Sequence, residues 1–219
     1  MRRLILFSGL GGDARLFGPL RLPGVALITP AHEPPVEREG LAAYAERLAA
    51  TQEIGPADVV GGASFGGMLA AQIASRRRVA GLVVLGSCLD PRLLPAQYRL
   101  VERLGRSAPD SLLMLRVWPP FMRARFSPLT PQAQTVLRAM ATDFPPQVLR
   151  RFGRMLIEWP GVERPACPAL IVHGERDRII PLSCARPDLV LAGAGQCFTL
   201  THGEQTSAAV AEFLARLGP

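Results

Sequence analysis

The stretch Asp58-Val59-Val60-Gly61-Gly62-Ala63-Ser64-Phe65-Gly66-Gly67-Met68-Leu69-Ala70-Ala71-Gln72-Ile73-Ala74 decides the fold of this chain. Asp58 to Gly61 is short and β-branched and reads as a strand. Met68 to Ala74 reads as a helix. Between them, residues 62–66 fit G-x-S-x-G, and Gly67 follows. A serine at such a strand-to-helix corner is held in a strained backbone conformation, and a Cβ at position 62 or 66 would crowd the turn. The serine oxygen then stands clear of the backbone, at the positive end of the helix. A corner of this kind points to acyl transfer through a serine ester, provided the chain also supplies an acid, a base and an oxyanion hole.

Outward from the corner, short apolar runs alternate with helical patterns, as in a parallel sheet with crossover helices. Leu4 to Phe7, Val25 to Ile28, Val79 to Gly86, Ala169 to Val172 and Asp188 to Leu191 read as strands. Leu41 to Ala50 reads as an amphipathic helix with Leu41, Tyr44, Ala45 and Leu48 on one face. Gln205 to Leu217 reads as a closing helix whose Val210, Phe213, Leu214 and Leu217 share a face. From about 88 to 164 the pattern changes: Gln97 to Leu104, Ser111 to Val117, Pro131 to Ala141 and Pro146 to Glu158 are helical segments separated by prolines. An all-helical insertion between two central strands lies above the strand ends, where a ligand would sit. The expected architecture is therefore one α/β domain over residues 1–219, with a mostly parallel sheet flanked by helices and an all-helical cap at about 88–164.

A chain of 219 residues is enough for one such domain with a real core, and short for two. Hydrophobic residues make up 48% and aromatics 6%, so the core is built from Leu, Val, Ala and Ile. A net charge of +7 raises nucleic acid or an acidic membrane as partners. The cations are all arginine, with lysine and asparagine both absent, which is a bias of the whole chain and not a binding face. The one local run, Arg76-Arg77-Arg78, closes the helix after Ser64, where cations complement the helix dipole. Neither nucleic acid nor membrane is expected as a partner. Cys88, Cys167, Cys184 and Cys197 form no C-x-x-C pair, so the expectation is no metal site, free buried thiols and a reducing cytoplasm. The apolar run after Met1-Arg2-Arg3 stops at Phe7, too short for a secretory signal, and no stretch is long enough to span a bilayer.

Two further elements bear on the site. Phe7-Ser8-Gly9-Leu10-Gly11-Gly12-Asp13 is a glycine-rich turn at the end of the first strand. An oxyanion hole needs two backbone N–H donors fixed before reaction, and Leu10 and Phe65 are the candidates. His173-Gly174-Glu175-Arg176-Asp177-Arg178-Ile179-Ile180-Pro181 follows a later strand. A carboxylate on that loop can orient a histidine and stabilise its charged form. Asp177 is the first choice, with Glu175 and Asp188 as rivals. His173, at a strand end before Gly174, reads as a structural hydrogen-bonding residue. His32, in the loop from Pro30 to Pro35, reads as surface.

With these pieces in this order, the chain resembles a small α/β-hydrolase. The resemblance rests on Ser8-Gly9-Leu10-Gly11, on the glycine-serine corner at 62–67, and on His173-Gly174-x-x-Asp177-x-x-Ile180-Pro181. It spans nearly the whole length, with the cap at the family's usual insertion point. It implies serine hydrolysis of a small-molecule ester or related acyl compound, without a cofactor. Ser64 would be the nucleophile, Asp177 the orienting acid, and the N–H groups of Leu10 and Phe65 the oxyanion hole. Phe121, Met122, Met155 and Trp159 of the cap would line the pocket.

The family's third catalytic group is a histidine in a Gly-x-Gly-His turn after the last strand. Here that turn reads Gly193-Ala194-Gly195-Gln196. Phe213-Leu214 falls where the family's closing Phe-Leu does, with no gap, so Gln196 occupies the base position. Glutamine has no basic nitrogen and cannot take the serine proton near neutral pH, although it can still hold a hydrogen bond to Ser64 or Asp177. His202 would serve as base only through a shifted loop that shortens the last helix by more than a turn. Three readings are consistent with this pattern: an ester hydrolase impaired by the missing base or served by His202, a degenerate hydrolase that binds small molecules without turning them over, and a chemistry on this fold that does not need the histidine.

Overall fold

The computed structural model describes residues 1–94 and 119–218, apart from the side chains of Pro119 and Phe121. Its centre is a six-stranded sheet in the order β2-β1-β3-β4-β5-β6, every neighbouring pair parallel. The strands are β1 (Arg2–Phe7), β2 (Val25–Ile28), β3 (Val59–Ala63), β4 (Gly81–Leu85), β5 (Ala169–Gly174) and β6 (Leu189–Leu191).

Period-two alternation explains the layers. Along β1, Ile5 and Phe7 join one buried cluster while Leu4 and Leu6 join the other. Likewise Val60, Leu82, Val84 and Ile171 face one side, and Val59, Val83, Leu85, Leu170 and Val172 the other. Strands apolar on both faces need cover on both. On the first side the cover is α1 (Leu41–Thr51) and α2 (Phe65–Arg76). On the second it includes the closing helix Gly203–Arg216, whose Val210, Phe213 and Leu214 are buried.

Between β4 and β5 lie α3 (Pro119–Phe126), α4 (Pro131–Asp143) and α5 (Pro146–Glu158). Thr130 starts α4, its hydroxyl accepting the Ala133 N–H at 3.1 Å, with Pro131 in the first turn where no amide hydrogen is needed. The helix α3 falls within the region read as all-helical, and its two leading prolines are tolerated in a first turn. The segments Gln97 to Leu104 and Ser111 to Val117 lie outside the described residues. Three helices close the chain: α6 (Leu182–Ala185), α7 (Phe198–Thr201) and α8 (Gly203–Arg216). Among the described residues no helix is long and apolar enough to cross a membrane.

Because all strands are parallel, their carboxyl ends lie along one edge of the sheet. The loops that leave that edge carry His32 after β2, the Ser8–Gly12 turn after β1, Ser64 after β3, Gly86 after β4, Asp177 after β5 and Gln196 after β6.

Candidate active site

Ser64 joins β3 to α2 with φ 52° and ψ −121°. That is a left-handed conformation non-glycine residues rarely adopt, costing on the order of 1–3 kcal/mol. The surroundings enforce it. The Ser64 N–H donates to the Leu85 carbonyl at 3.0 Å, and its own carbonyl accepts from Gly67 N–H at 3.0 Å and from the Ser87 hydroxyl at 2.6 Å. A Cβ at Gly62 or Gly66 would overlap the carbonyl of Phe7, so only glycine lets the end of β1 pack against the corner. Ser64 stands at the N-cap of α2, yet its side chain makes no cap hydrogen bond. The hydroxyl is therefore not used in holding the helix.

The glycine-rich turn faces this serine. A Cβ built at Gly9 would stand 3.2 Å from Ser64 Cβ and 3.8 Å from Ser64 Oγ. The turn is closed by Gly12 N–H donating to the Gly9 carbonyl at 3.0 Å and by the Ser8 hydroxyl donating to the Gly12 carbonyl at 2.8 Å. Among the described residues, the N–H groups of Leu10 and Phe65 have no hydrogen-bond acceptor.

Ser64 and Gly9 to Gly12 border a cavity of about 360 Å³. The helices between β4 and β5 supply much of its wall through Met122, Phe126, Leu137, Met140 and Leu156. Met68, Ile179 and Ile180 complete an apolar lining, with Arg92 and Arg125 as its charged members. Of the four cap residues expected at the pocket, Met122 borders this cavity, and the Phe121 side chain is outside the described residues. Met155 and Trp159 are not on the cavity wall. Both are packed in the core, and the Trp159 indole N–H donates to Gln72 Oε1 at 2.7 Å. One residue further along α5, Leu156 turns by about 100° around the helix and faces the cavity instead.

Asp177 is buried on the loop after β5. Its Oδ1 accepts the N–H groups of Ile179 at 2.7 Å and Ile180 at 2.9 Å. Its Oδ2 is buried without a hydrogen bond. His173 Nε2 lies 3.2 Å from that oxygen, but its proton goes to the Ile180 carbonyl at 2.8 Å, which is the structural role expected of His173. The rivals are occupied elsewhere: Glu175 accepts from Gly193 N–H at 2.7 Å, and Asp188 binds Arg164 and the Ile171 N–H.

Gln196 borders the cavity with Ser64, but its hydrogen bond goes neither to Ser64 nor to Asp177, as the sequence had suggested. Its Nε2 donates to the Gly86 carbonyl at 2.7 Å, and its Oε1 is buried without a partner. Neighbouring Cys197 also borders the cavity, and burial, with the Asp177 carboxylate adding to it, pushes its thiol far above the ordinary value. It stays protonated and is no rival nucleophile. His202 is not on the cavity wall. Its Nδ1 pairs with the Thr201 hydroxyl at 2.9 Å, and its backbone starts α8 at full length. The chain's three histidines are His32, His173 and His202, and none borders the cavity.

His32 departs most from its expected place. It is half-buried, not on the surface, and its Nε2 lies 3.1 Å from the Ser8 carbonyl and 3.3 Å from the Gly9 carbonyl. Its ring packs against Phe65, Phe144 and Phe152, with centroids 6.0, 6.1 and 5.1 Å away. The only sequence signal was a histidine two residues from Pro30, in a loop that polar residues usually leave exposed.

A parallel sheet with a strained serine at a glycine-lined strand-to-helix corner, and a cavity over the carboxyl edge, defines the α/β-hydrolase class of proteins. The chain belongs to the alpha/beta hydrolase family, whose model matches residues 4–212. No curated protein matches the chain in sequence. Among solved structures it is similar to a thermophilic esterase from Thermogutta terrifontis, at 20% identity over 100% of this chain and 91% of the other, with a TM-score of 0.77. A hydrolase from Pseudomonas aeruginosa gives 17% identity over 97% and 89%, with a TM-score of 0.76. A bromoperoxidase from Bacillus anthracis gives 15% identity over 98% and 92%, with a TM-score of 0.74. At these identities the likeness is one of fold.

Proposed function

We propose that this chain is a serine hydrolase that takes an apolar carboxylic ester, or a related acyl compound, into the cavity and transfers its acyl group to Ser64. The observation that carries the reading is the Ser64 hydroxyl itself: presented by a strained backbone, unused as a cap, and bordering an apolar cavity beside the Gly9–Gly12 turn. In the first step Ser64 Oγ bonds to the acyl carbon and the carbonyl electrons move onto oxygen. The free N–H groups of Leu10 and Phe65 stabilise that charge. The bond to the leaving alcohol then breaks, and water later cleaves the acyl-serine to release the acid.

The weak point is the serine proton. Gln196 cannot accept it, so the proton passes to water or to the leaving group, and the general-base contribution of roughly 10²–10⁴-fold is lost. Esters of acidic alcohols, which leave without protonation, are the substrates such a site handles best. Asp177 is the acid that would orient an imidazole at position 196. The same residues favour a second reading, a binding protein for apolar acyl compounds, because Gln196 is tied to Gly86 and no histidine borders the cavity. Both readings use a small-molecule ligand, neither nucleic acid nor membrane, and no cofactor. Four free cysteines fit a cytoplasmic protein.

The test is incubation with p-nitrophenyl butyrate, following phenolate release and intact protein mass. Acylation expected of the parent adds one butyryl group, and Ser64→Ala removes it. If Ser64→Ala releases phenolate as fast as the parent, the serine reading fails. If the parent binds the ester analogue but never acquires the acyl group, the binding reading stands in its place.

A further inference from the structure

One side chain touches both halves of the oxyanion site proposed above, and no step of that mechanism uses it. His32 reaches across from the loop after β2. Its Nε2 is within hydrogen-bond distance of two carbonyl oxygens, those of Ser8 and Gly9. A carbonyl only accepts, so Nε2 carries the proton and donates. The Gly9 carbonyl thereby receives two donors, His32 and the Gly12 N–H at 3.0 Å.

That carbonyl belongs to the same peptide plane as the Leu10 N–H. In a planar trans peptide the two point in opposite directions. Fixing the Gly9 oxygen toward His32 therefore fixes the Leu10 N–H away from it. The ring is itself held in place. It packs on Phe65 at 6.0 Å, the residue whose N–H is the second donor, and on Phe152 at 5.1 Å. Phe65 and Phe152 are fully buried, so this aromatic floor cannot drift.

We infer that His32 is a positioning residue: it sets the direction of the Leu10 N–H relative to the Phe65 N–H, and so the geometry in which the acyl oxygen at Ser64 is held. This inference rests on the acyl-transfer reading of Ser64, and it adds a donor that stands behind the oxyanion turn. The turn's own bonds, Gly12 N–H to the Gly9 carbonyl and the Ser8 hydroxyl to the Gly12 carbonyl, act from one side, and His32 adds a donor from outside the turn that also takes the Ser8 carbonyl.

Two substitutions separate donation from packing. His32→Phe keeps an aromatic ring and loses the donor. His32→Gln loses the ring and restores an N–H donor near the place of Nε2. With p-nitrophenyl butyrate, His32→Phe is expected to slow acylation of Ser64 by about 10–100-fold, less than deleting an oxyanion donor outright, with KM within about twofold. His32→Gln is expected to recover most of that rate. Parental acylation in His32→Phe overturns the inference, and so does a loss that His32→Gln fails to recover. His32→Met replaces His32→Phe if the latter does not fold. The Leu10 amide resonance gives a reading independent of chemistry. It should shift in His32→Phe and return in His32→Gln, and an unmoved resonance overturns the inference even if Ser64 is acylated. A shifted and restored resonance in a protein that is never acylated supports the positioning while removing the acyl-transfer reading.

Discussion

The side-chain amide of Gln196 is hydrogen-bonded to the carbonyl of Gly86, at 2.7 Å, and not to Ser64. The bond joins the turn after β6 to the end of β4, and it accounts for the amide N–H while leaving Oε1 buried and unpaired. Position 196 thus ties the turn to the sheet but supplies no base.

From this follows the effect of Gln196→His. On the proposed acyl-transfer reading, an imidazole at that position would bring a proton acceptor to the cavity that Ser64 also borders, with Asp177 as the carboxylate to orient it. Hydrolysis of p-nitrophenyl butyrate is expected to rise by roughly 10²–10⁴-fold. The rate should climb with pH as the new histidine deprotonates near its ordinary value of about 6.5. The parent should lack that step. A pH profile of the variant without it would remove the base role from position 196.

Ser64 stores strain that glycine would not. Its φ of 52° is accessible to glycine without penalty, so Ser64→Gly should stabilise the fold by about 1 kcal/mol while abolishing acylation. Urea denaturation of parent and variant checks the first half, and protein mass after ester treatment the second. A destabilised Ser64→Gly would mean that the side chain contributes packing that its lack of a cap bond does not reveal.

Gly66 has the opposite sensitivity. Its added Cβ would overlap the carbonyl of Phe7 and crowd that of Ser8, backbone atoms that cannot rotate aside. Gly66→Ala is expected to cost on the order of 4 kcal/mol, which the loss of soluble expression or a lowered urea midpoint would register.

Much of this arrangement was legible in the chain. All six strands show as apolar runs, fully buried in β3 and β4 and only partly covered in the edge strands β2 and β6, and the glycines at 62 and 66 mark a corner where two backbones meet. The legible parts are local in sequence. What was not legible depends on partners far along the chain: Gln196 with Gly86, His32 with the turn at 8–9, and Trp159 with Gln72. The chain marked Pro146 to Glu158 as helical, but not which of its residues meet the core and which the cavity. Met155 and Leu156 divide on that one-residue difference.

Trp159 makes the division measurable. Trp159→Phe leaves the Gln72 Oε1 buried without its indole donor, a loss of about 1–3 kcal/mol in stability. Because Trp159 is not on the cavity wall, the KM for butyrate ester should stay within about twofold. Enlarging Leu137, which does border the cavity, to Trp should instead raise KM, at an overpacking cost of about 1–3 kcal/mol in stability. Equal effects on KM from both variants would place Trp159 at the ligand after all.

His32 gives the fold a dependence on acid. Its ring is half-buried against three phenylalanines, and burial holds its pKa below the ordinary 6.5, with the neighbouring Asp13 carboxylate and the two backbone carbonyls opposing but not cancelling that shift. The unfolded chain therefore binds a proton at His32 before the folded chain does. The full stability is present above pH 6.5 and declines as pH falls through that value toward the lower folded pKa. His32→Phe has no such proton to exclude. Urea midpoints at pH 7.5, 6.5 and 5.5 should fall more steeply for the parent than for His32→Phe. Acid leaves the Nε2 proton in place, so the hydrogen bonds to Ser8 and Gly9 survive protonation, and the loss is one of stability, not of turn geometry. Parallel midpoint curves for the two proteins would mean that the ring is solvated when charged, and that its aromatic neighbours do not exclude water from it.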